Sequence, residues 1–218
     1  MLNKSKGQMY LWVTHTWNVI KGKCPHDCSY CYMKRYPQPE LHFDEKELKT
    51  DLGSGNFIFV GSSCDDWAEA IPLDWIDQIW QKCLLYPKNR YLFQSKNPLC
   101  FLSYQNSITV NALWGTTIES NRCCCSFSPG APCTSGRYLS MKNISLPKMV
   151  SIEPIMDFDL LELVRWMREI EPQFVSIGAD SGNNHLPEPS SEKVKALIEG
   201  LREFTEVKVK DNLKRLLK

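Results

Sequence analysis

The sequence predicts an α/β fold, a partial βα barrel of about six units with parallel strands. Short apolar runs alternate with amphipathic helical stretches along most of the chain, the pattern of βα units whose strands are covered on both faces. The runs are closed by Gly or Pro, as in Val60-Gly61 and Ile152-Glu153-Pro154. The chain has 218 residues, whereas a closed eight-unit barrel takes about 250. Too few units for closure leave an open barrel with its working face at the C-terminal ends of the strands.

Each element has its own signal. Leu11 to Val19 is rich in β-branched and aromatic residues and reads as the first strand. Phe57 to Val60 is the second, followed by a helix with Ile76, Ile79, Trp80 and Cys83 on one face and Asp74 placed to cap its start. Arg90 to Phe93 is the third. The fourth is either Ser107 to Val110 or Trp114 to Ile118, between which the pattern does not decide. Met149 to Ile152 is the fifth, and Leu160, Leu163, Val164 and Met167 form the helical stripe after it. Phe174 to Ile177 is the sixth. Val194, Leu197, Ile198 and Leu201 mark a helix entered through Ser190 and Ser191, and Val207 to Val209 a last short strand before a basic terminal helix.

Composition narrows the class. Hydrophobic residues make up 43% and charged residues 23%, ordinary for a globular domain, and the expectation is one domain over residues 1–218. No apolar run approaches the ~20 residues of a membrane helix, and Met1 to Met9 is polar, so a cytoplasmic protein without a membrane partner is expected. A net charge of +1 gives no overall basic field. Ten cysteines in a chain of this length, with no export signal, read as metal ligands in a reducing compartment rather than as a disulfide framework.

The strongest motif is Cys24-Pro-His-Asp-Cys28-Ser-Tyr-Cys31, directly after the first predicted strand. Thiolates are the usual ligands of iron–sulfur clusters, and short spacings let one loop reach several irons. Three ligands on a four-iron cluster leave one iron open. A zinc loop is the alternative, with His15, His26 or Cys64 as the fourth ligand.

On this spacing, with Tyr30 as the aromatic before the last cysteine, the chain resembles the radical S-adenosylmethionine (SAM) superfamily. The resemblance implies a [4Fe-4S] cluster on Cys24, Cys28 and Cys31, with SAM on the open iron. It further implies reductive cleavage of SAM to a 5′-deoxyadenosyl radical that abstracts hydrogen from a substrate, fed by a ferredoxin- or flavodoxin-type electron donor. Thr16-Trp17-Asn18, Gly61-Ser-Ser-Cys-Asp65, Gln94-Ser-Lys96, Gly115-Thr-Thr-Ile-Glu119, Ser151-Ile-Glu153-Pro154 and Gly178-Ala-Asp180-Ser-Gly182 are similar to a phage-associated radical SAM family of unknown function. In general appearance the chain more distantly resembles the spore photoproduct lyases.

The resemblance also implies roles. Ser62, Ser63 and Asp65 stand where the superfamily has a Gly-Gly-Glu segment for the methionine ammonium, with the glycines replaced here. Ser95 and Lys96 are placed for the SAM carboxylate or a substrate phosphate, Glu119 for ribose hydroxyls and Arg122 for a bidentate carboxylate contact. Glu153, counted with the cofactor-binding group, and Asp180 suit substrate better than SAM.

The remaining cysteines divide in two. Cys123, Cys124, Cys125 and Cys133 lie in an irregular stretch, residues 121–137, and a second metal centre there stays open. Cys64, Cys83 and Cys100 read as buried small hydrophobes. The expected substrate is a nucleotide or nucleic-acid base, with a peptide-modifying radical SAM enzyme or a zinc-stabilised nucleic-acid-binding module as alternatives. The C-terminal Lys208, Lys210, Lys214, Arg215 and Lys218 read as a solvated helix face before a phosphate-binding one.

Overall fold

The computed structural model describes residues 1–7, 9–104 and 110–218. The elements in chain order are strands β1 (Asn3–Lys4), β2 (His15–Trp17), β3 (Ile20–Lys21) and β4 (His42–Phe43), helix α1 (Glu45–Leu48), β5 (Phe57–Val60), helix α2 (Leu73–Leu84), β6 (Arg90–Ser95) and β7 (Ala112–Thr117). Then come helix α3 (Thr134–Lys142), β8 (Lys148–Ile152), helix α4 (Leu160–Ile170), β9 (Phe174–Ile177), helix α5 (Ser191–Arg202) and β10 (Glu206–Val209). One sheet of eight strands runs β1-β2-β5-β6-β7-β8-β9-β10. Its neighbours are parallel except the β1–β2 pair. Spatial order follows chain order, so the sheet winds in one direction as a barrel does rather than reversing as a doubly wound sheet does. This is the predicted partial βα barrel, with Val207 to Val209 realised as its last parallel strand.

The two sheet faces bury different partners. Ile58, Val60, Tyr91, Phe93, Trp114, Val150, Ile152, Val175 and Ile177 join Ile76, Ile79, Trp80, Met141, Leu163, Met167, Leu197 and Leu201 of the helices in the main core. Trp114 anchors it, 4.7 Å from the Phe101 ring centroid and 5.2 Å from Phe93. The other face carries Phe57, Phe59, Leu92, Leu113, Met149 and Phe174, a second cluster closed by Tyr10, Trp12 and Val13.

That closure departs from expectation. Within Leu11 to Val19 only His15–Trp17 pairs with the barrel sheet; the preceding residues plug the barrel. Trp12 lies 4.9 Å from Phe57 and 5.2 Å from Phe174, the first residues of β5 and β9, so the plug seals the N-terminal end. Aromatic and β-branched side chains serve a strand and an apolar plug equally well, which is why the stretch reads as one long strand.

Above this floor the same face turns polar. Register pairs Thr117 with Ser151 and Ser151 with Ser176. Gln94 Nε2 donates to Thr117 Oγ1 at 3.2 Å, and the Tyr10 hydroxyl donates to Gln94 Oε1 at 3.0 Å. The interior therefore grades from apolar floor to hydrogen-bonding rim.

Three smaller differences follow from local chemistry. The fourth strand is Ala112–Thr117, starting two residues before the Trp114 alternative; Ser107 to Thr109 of the other alternative lies outside the described residues. Pro72 caps α2, and Asp74 sits in its first turn, where a carboxylate still complements the helix dipole. Asp211–Leu216 is a 3-10 turn rather than an α-helix. No helix among the described residues is long and apolar enough to cross a membrane.

Candidate active site

β2 ends at the buried Trp17, whose indole N–H donates to the Glu47 carbonyl at 3.1 Å. The chain then turns outward at the C-terminal mouth of the sheet, and the β3–β4 pair braces the base of the cysteine loop. Within the loop the Asp27 amide donates to the Cys24 carbonyl and the Cys31 amide to the Cys28 carbonyl, each at 3.2 Å. The three thiols are free. Burial pushes the Cys31 thiol up, and the charges of Cys28 and Cys24 push it further. A hydrogen bond with the Cys64 thiol holds Cys24 below the ordinary cysteine range, which favours the ligating thiolate.

A second loop is fastened over the first. The Ser29 amide donates to the Phe127 carbonyl at 2.8 Å, and the Gly130 amide to the His26 carbonyl at 3.2 Å. His26 Nδ1 lies 2.9 Å from the Gly130 carbonyl oxygen. A Cβ at Gly130 would stand 2.1 Å from the Pro25 carbonyl oxygen, so only glycine permits this approach. The irregular stretch 121–137 is thus a cover for the cysteine loop.

His26 is buried, with Nε2 2.8 Å from Asp65 Oδ2. Burial opposes its charge, but the Asp65 carboxylate raises its pKa above the usual histidine value. Asp65, predicted to meet the SAM ammonium, also accepts the Lys96 amide at 2.8 Å and the Trp67 amide at 3.1 Å. Its carboxylate joins three segments instead. Ser95 likewise turns inward, accepting the Asn97 amide at 2.7 Å. Ser62 and Ser63 do lie beside the cysteine loop: Ser62 Oγ and the Ser63 amide each donate to Asn18 Oδ1 at 3.1 Å, and the Tyr32 hydroxyl donates to the Ser62 carbonyl at 2.9 Å.

Behind Tyr30 is a buried ion network. The Tyr30 hydroxyl donates to Glu119 and lies 3.1 Å from Ser128 Oγ. Arg137 Nη1 donates to Glu119 Oε2 at 2.8 Å and to the Thr117 carbonyl at 3.0 Å, and Arg137 Nε to the Pro132 carbonyl at 2.7 Å. Lys96 Nζ stands 3.8 Å from Glu119 Oε1 and 5.5 Å from the Tyr30 ring centroid. Burial opposes the Lys96 charge, but the Glu119 carboxylate beside it helps hold the ammonium above its usual range. Lys96 is therefore a cation beside Tyr30 of the cysteine loop.

The structure draws other predicted residues elsewhere. Arg122 is exposed and forks onto Asp157 and Asp159, two carboxylates that neutralise it. Glu153 accepts Lys210 at 2.8 Å and Asn212 at 3.2 Å, and Lys210 lies 5.0 Å from the Tyr10 ring centroid, on the polar interior. Asp180 staples its own turn, accepting the Gly182 amide at 2.9 Å and Asn184 Nδ2 at 2.6 Å. Cys124 is buried while Cys123, Cys125 and Cys133 are exposed. Ser128 and Arg137 carry no signal in the sequence, since their partners are distant along the chain, and His26, a candidate zinc ligand on spacing, meets Asp65 and Gly130 instead.

Among the described residues no three His, Cys, Asp or Glu side chains gather tightly enough to hold a single metal ion. A polynuclear cluster spaces its ligating sulfurs more widely, and three free thiols on one loop fit that donor set. His26 Nε2 faces Asp65 Oδ2 and Nδ1 faces the Gly130 carbonyl oxygen, so both ring nitrogens point at protein oxygens.

No family model matches the chain, and no curated protein matches it in sequence. Solved structures do match in fold. A spore photoproduct lyase variant superposes with a TM-score of 0.67 at 11% identity, over 94% of this chain and 78% of that one. Another variant, with bound AdoMet and dinucleoside spore photoproduct, superposes with a TM-score of 0.58 at 11% identity, over 92% of this chain. A third spore photoproduct lyase, complexed with dinucleoside spore photoproduct, gives a TM-score of 0.60. The chain spans 64% of the length of these two liganded proteins. At such identities the likeness shows a shared fold.

Proposed function

We propose that the chain is a radical SAM enzyme that acts on a nucleotide or a nucleic-acid base. The observation that carries this reading is the placing of three free thiols, Cys24, Cys28 and Cys31, at the C-terminal mouth of a partial barrel, with the Lys96 ammonium 5.5 Å from the ring centroid of Tyr30 in the same loop. When bound, a [4Fe-4S] cluster with SAM supplies reductive cleavage of the sulfonium and a 5′-deoxyadenosyl radical for hydrogen abstraction.

The chain's residues bind, orient and shield. Cys24, Cys28 and Cys31 would hold three irons. Lys96 offers its ammonium to the SAM carboxylate or a substrate phosphate. Ser62 and Ser63, fixed by Asn18, present hydroxyl and backbone oxygens to the methionine ammonium. Glu119 acts through Tyr30, positioning that ring against the cysteine loop. Gln94, Thr117, Ser151 and the Glu153–Lys210 pair line the interior with donors and acceptors suited to the edge of a base. The Trp12 plug excludes water from below. The dinucleoside ligands of the structural neighbours support a nucleic-acid substrate. A ferredoxin- or flavodoxin-type donor completes the chemistry.

The test is anaerobic reconstitution with iron and sulfide, then dithionite and SAM. The wild-type chain releases 5′-deoxyadenosine, and Cys28→Ala loses both the cluster chromophore and the release. A fully iron-loaded protein that liberates no 5′-deoxyadenosine overturns the reading.

A further inference from the structure

The stretch that leaves the last cysteine, Tyr32 to Pro39, is unlike the rest of the surface. Its 3-10 turn, Tyr32–Arg35, buries no residue. Tyr32 is 50% and Tyr36 60% exposed, the two aromatic rings among the large hydrophobic side chains that the described residues leave in solvent. Lys34 and Arg35 stand between them, and Lys23 is exposed at the base of the same lobe. From Cys28 to Pro39 there is no acidic residue.

The lobe is nevertheless braced. Gln38 Nε2 donates to the carbonyls of Met33 at 2.8 Å, Pro37 at 3.2 Å and Tyr36 at 3.3 Å. The Lys23 amide donates to the Pro39 carbonyl at 2.9 Å. Tyr32 is pinned through its hydroxyl to the Ser62 carbonyl, which leaves its ring free at the surface. Pro37 and Pro39 stiffen the return path. Side chains held out in water on a rigid support are preorganised for a partner rather than drifting.

We infer that this lobe is a docking surface for a single strand of nucleic acid, with Tyr36 and Tyr32 as stacking faces and Arg35, Lys34 and Lys23 as phosphate contacts. Aromatic faces flanked by cations, with Asp27 already paired to one of them, match a polyanion whose bases are exposed. A paired duplex hides those faces, so the surface suits an unpaired strand. Lys34 already neutralises Asp27 at 2.8 Å, which makes Arg35 the stronger phosphate ligand. Starting one residue beyond Cys31, the lobe would deliver the strand to the thiol pocket. The choice of a nucleic-acid occupant rests on the proposed function; the binding itself does not require the chemistry.

The experiment is fluorescence anisotropy of a labelled oligothymidine with the full anaerobically reconstituted chain, across a series of KCl concentrations. The wild type binds, and binds a duplex of equal length more weakly. Tyr36→Ala weakens single-strand binding about tenfold, the order expected for one lost base stack, while Tyr36→Phe restores it. Arg35→Ala lowers the slope of log K against log salt by about 0.7, one single-strand phosphate contact. No binding, an affinity indifferent to Tyr36→Ala, or a slope unmoved by Arg35→Ala overturns the inference. Release of 5′-deoxyadenosine by the wild type without any oligonucleotide is measured alongside. Release without strand binding removes this inference alone; Tyr36-dependent binding without release removes the radical chemistry alone.

Discussion

Glu119 shows what a buried charge costs and what it fixes. It is 0% exposed, with Arg137 and Tyr30 on its oxygens and Lys96 nearby. Removing one member of such a network strands another charge in a low-dielectric interior. Glu119→Gln is therefore expected to destabilise the protein by about 3–5 kcal/mol in urea unfolding, through the orphaned Arg137. At this scale the sequence was only partly legible. A carboxylate just past a strand end, in Gly115-Thr-Thr-Ile-Glu119, identifies a site residue, but nothing in the motif says that an arginine 18 positions on will claim it. Arg122 misleads for the same reason: its acidic partners, Asp157 and Asp159, are remote in sequence.

Between elements, the α3–α4 contact has a pH dependence that can be worked out. Tyr138 of α3 stacks on Trp166 of α4 with ring centroids 4.6 Å apart. Beside them Glu169 accepts Lys142 at 2.6 Å and Arg165 at 2.9 Å, together with the Tyr138 hydroxyl. The hydrogen bond from Lys142, then that from Tyr138, lowers the Glu169 pKa to about 2 from the usual 4.5. A carboxylate depressed on folding stabilises above its unfolded value and loses that contribution as pH falls through the folded one. Glu169→Gln should thus lower Tm at pH 7, with the difference from wild type closing between about pH 4.5 and pH 2. Helical faces such as Val194, Leu197, Ile198 and Leu201 were readable because periodicity reports burial directly. The inter-helix ion cluster was not, since exposed charges look alike until two helices meet.

For the molecule as a whole, the winding of the sheet followed from its sequence of apolar runs, and the closure of its lower end did not. The plug is tested by Trp12→Ala, expected to cost about 3 kcal/mol as Phe57 and Phe174 lose their covering ring. Urea unfolding checks the loss, and an unchanged m-value shows that the barrel itself persists. The cover over the cysteine loop was also hidden, because His26 and Gly130 are 104 positions apart. Their meeting leaves no room at position 130 for even a methyl group. The two stretches must then change length in concert: an insertion in either, unmatched in the other, would pull the paired backbones out of step. Descendants of this chain can vary these loops only as a matched set, like the two halves of a clasp.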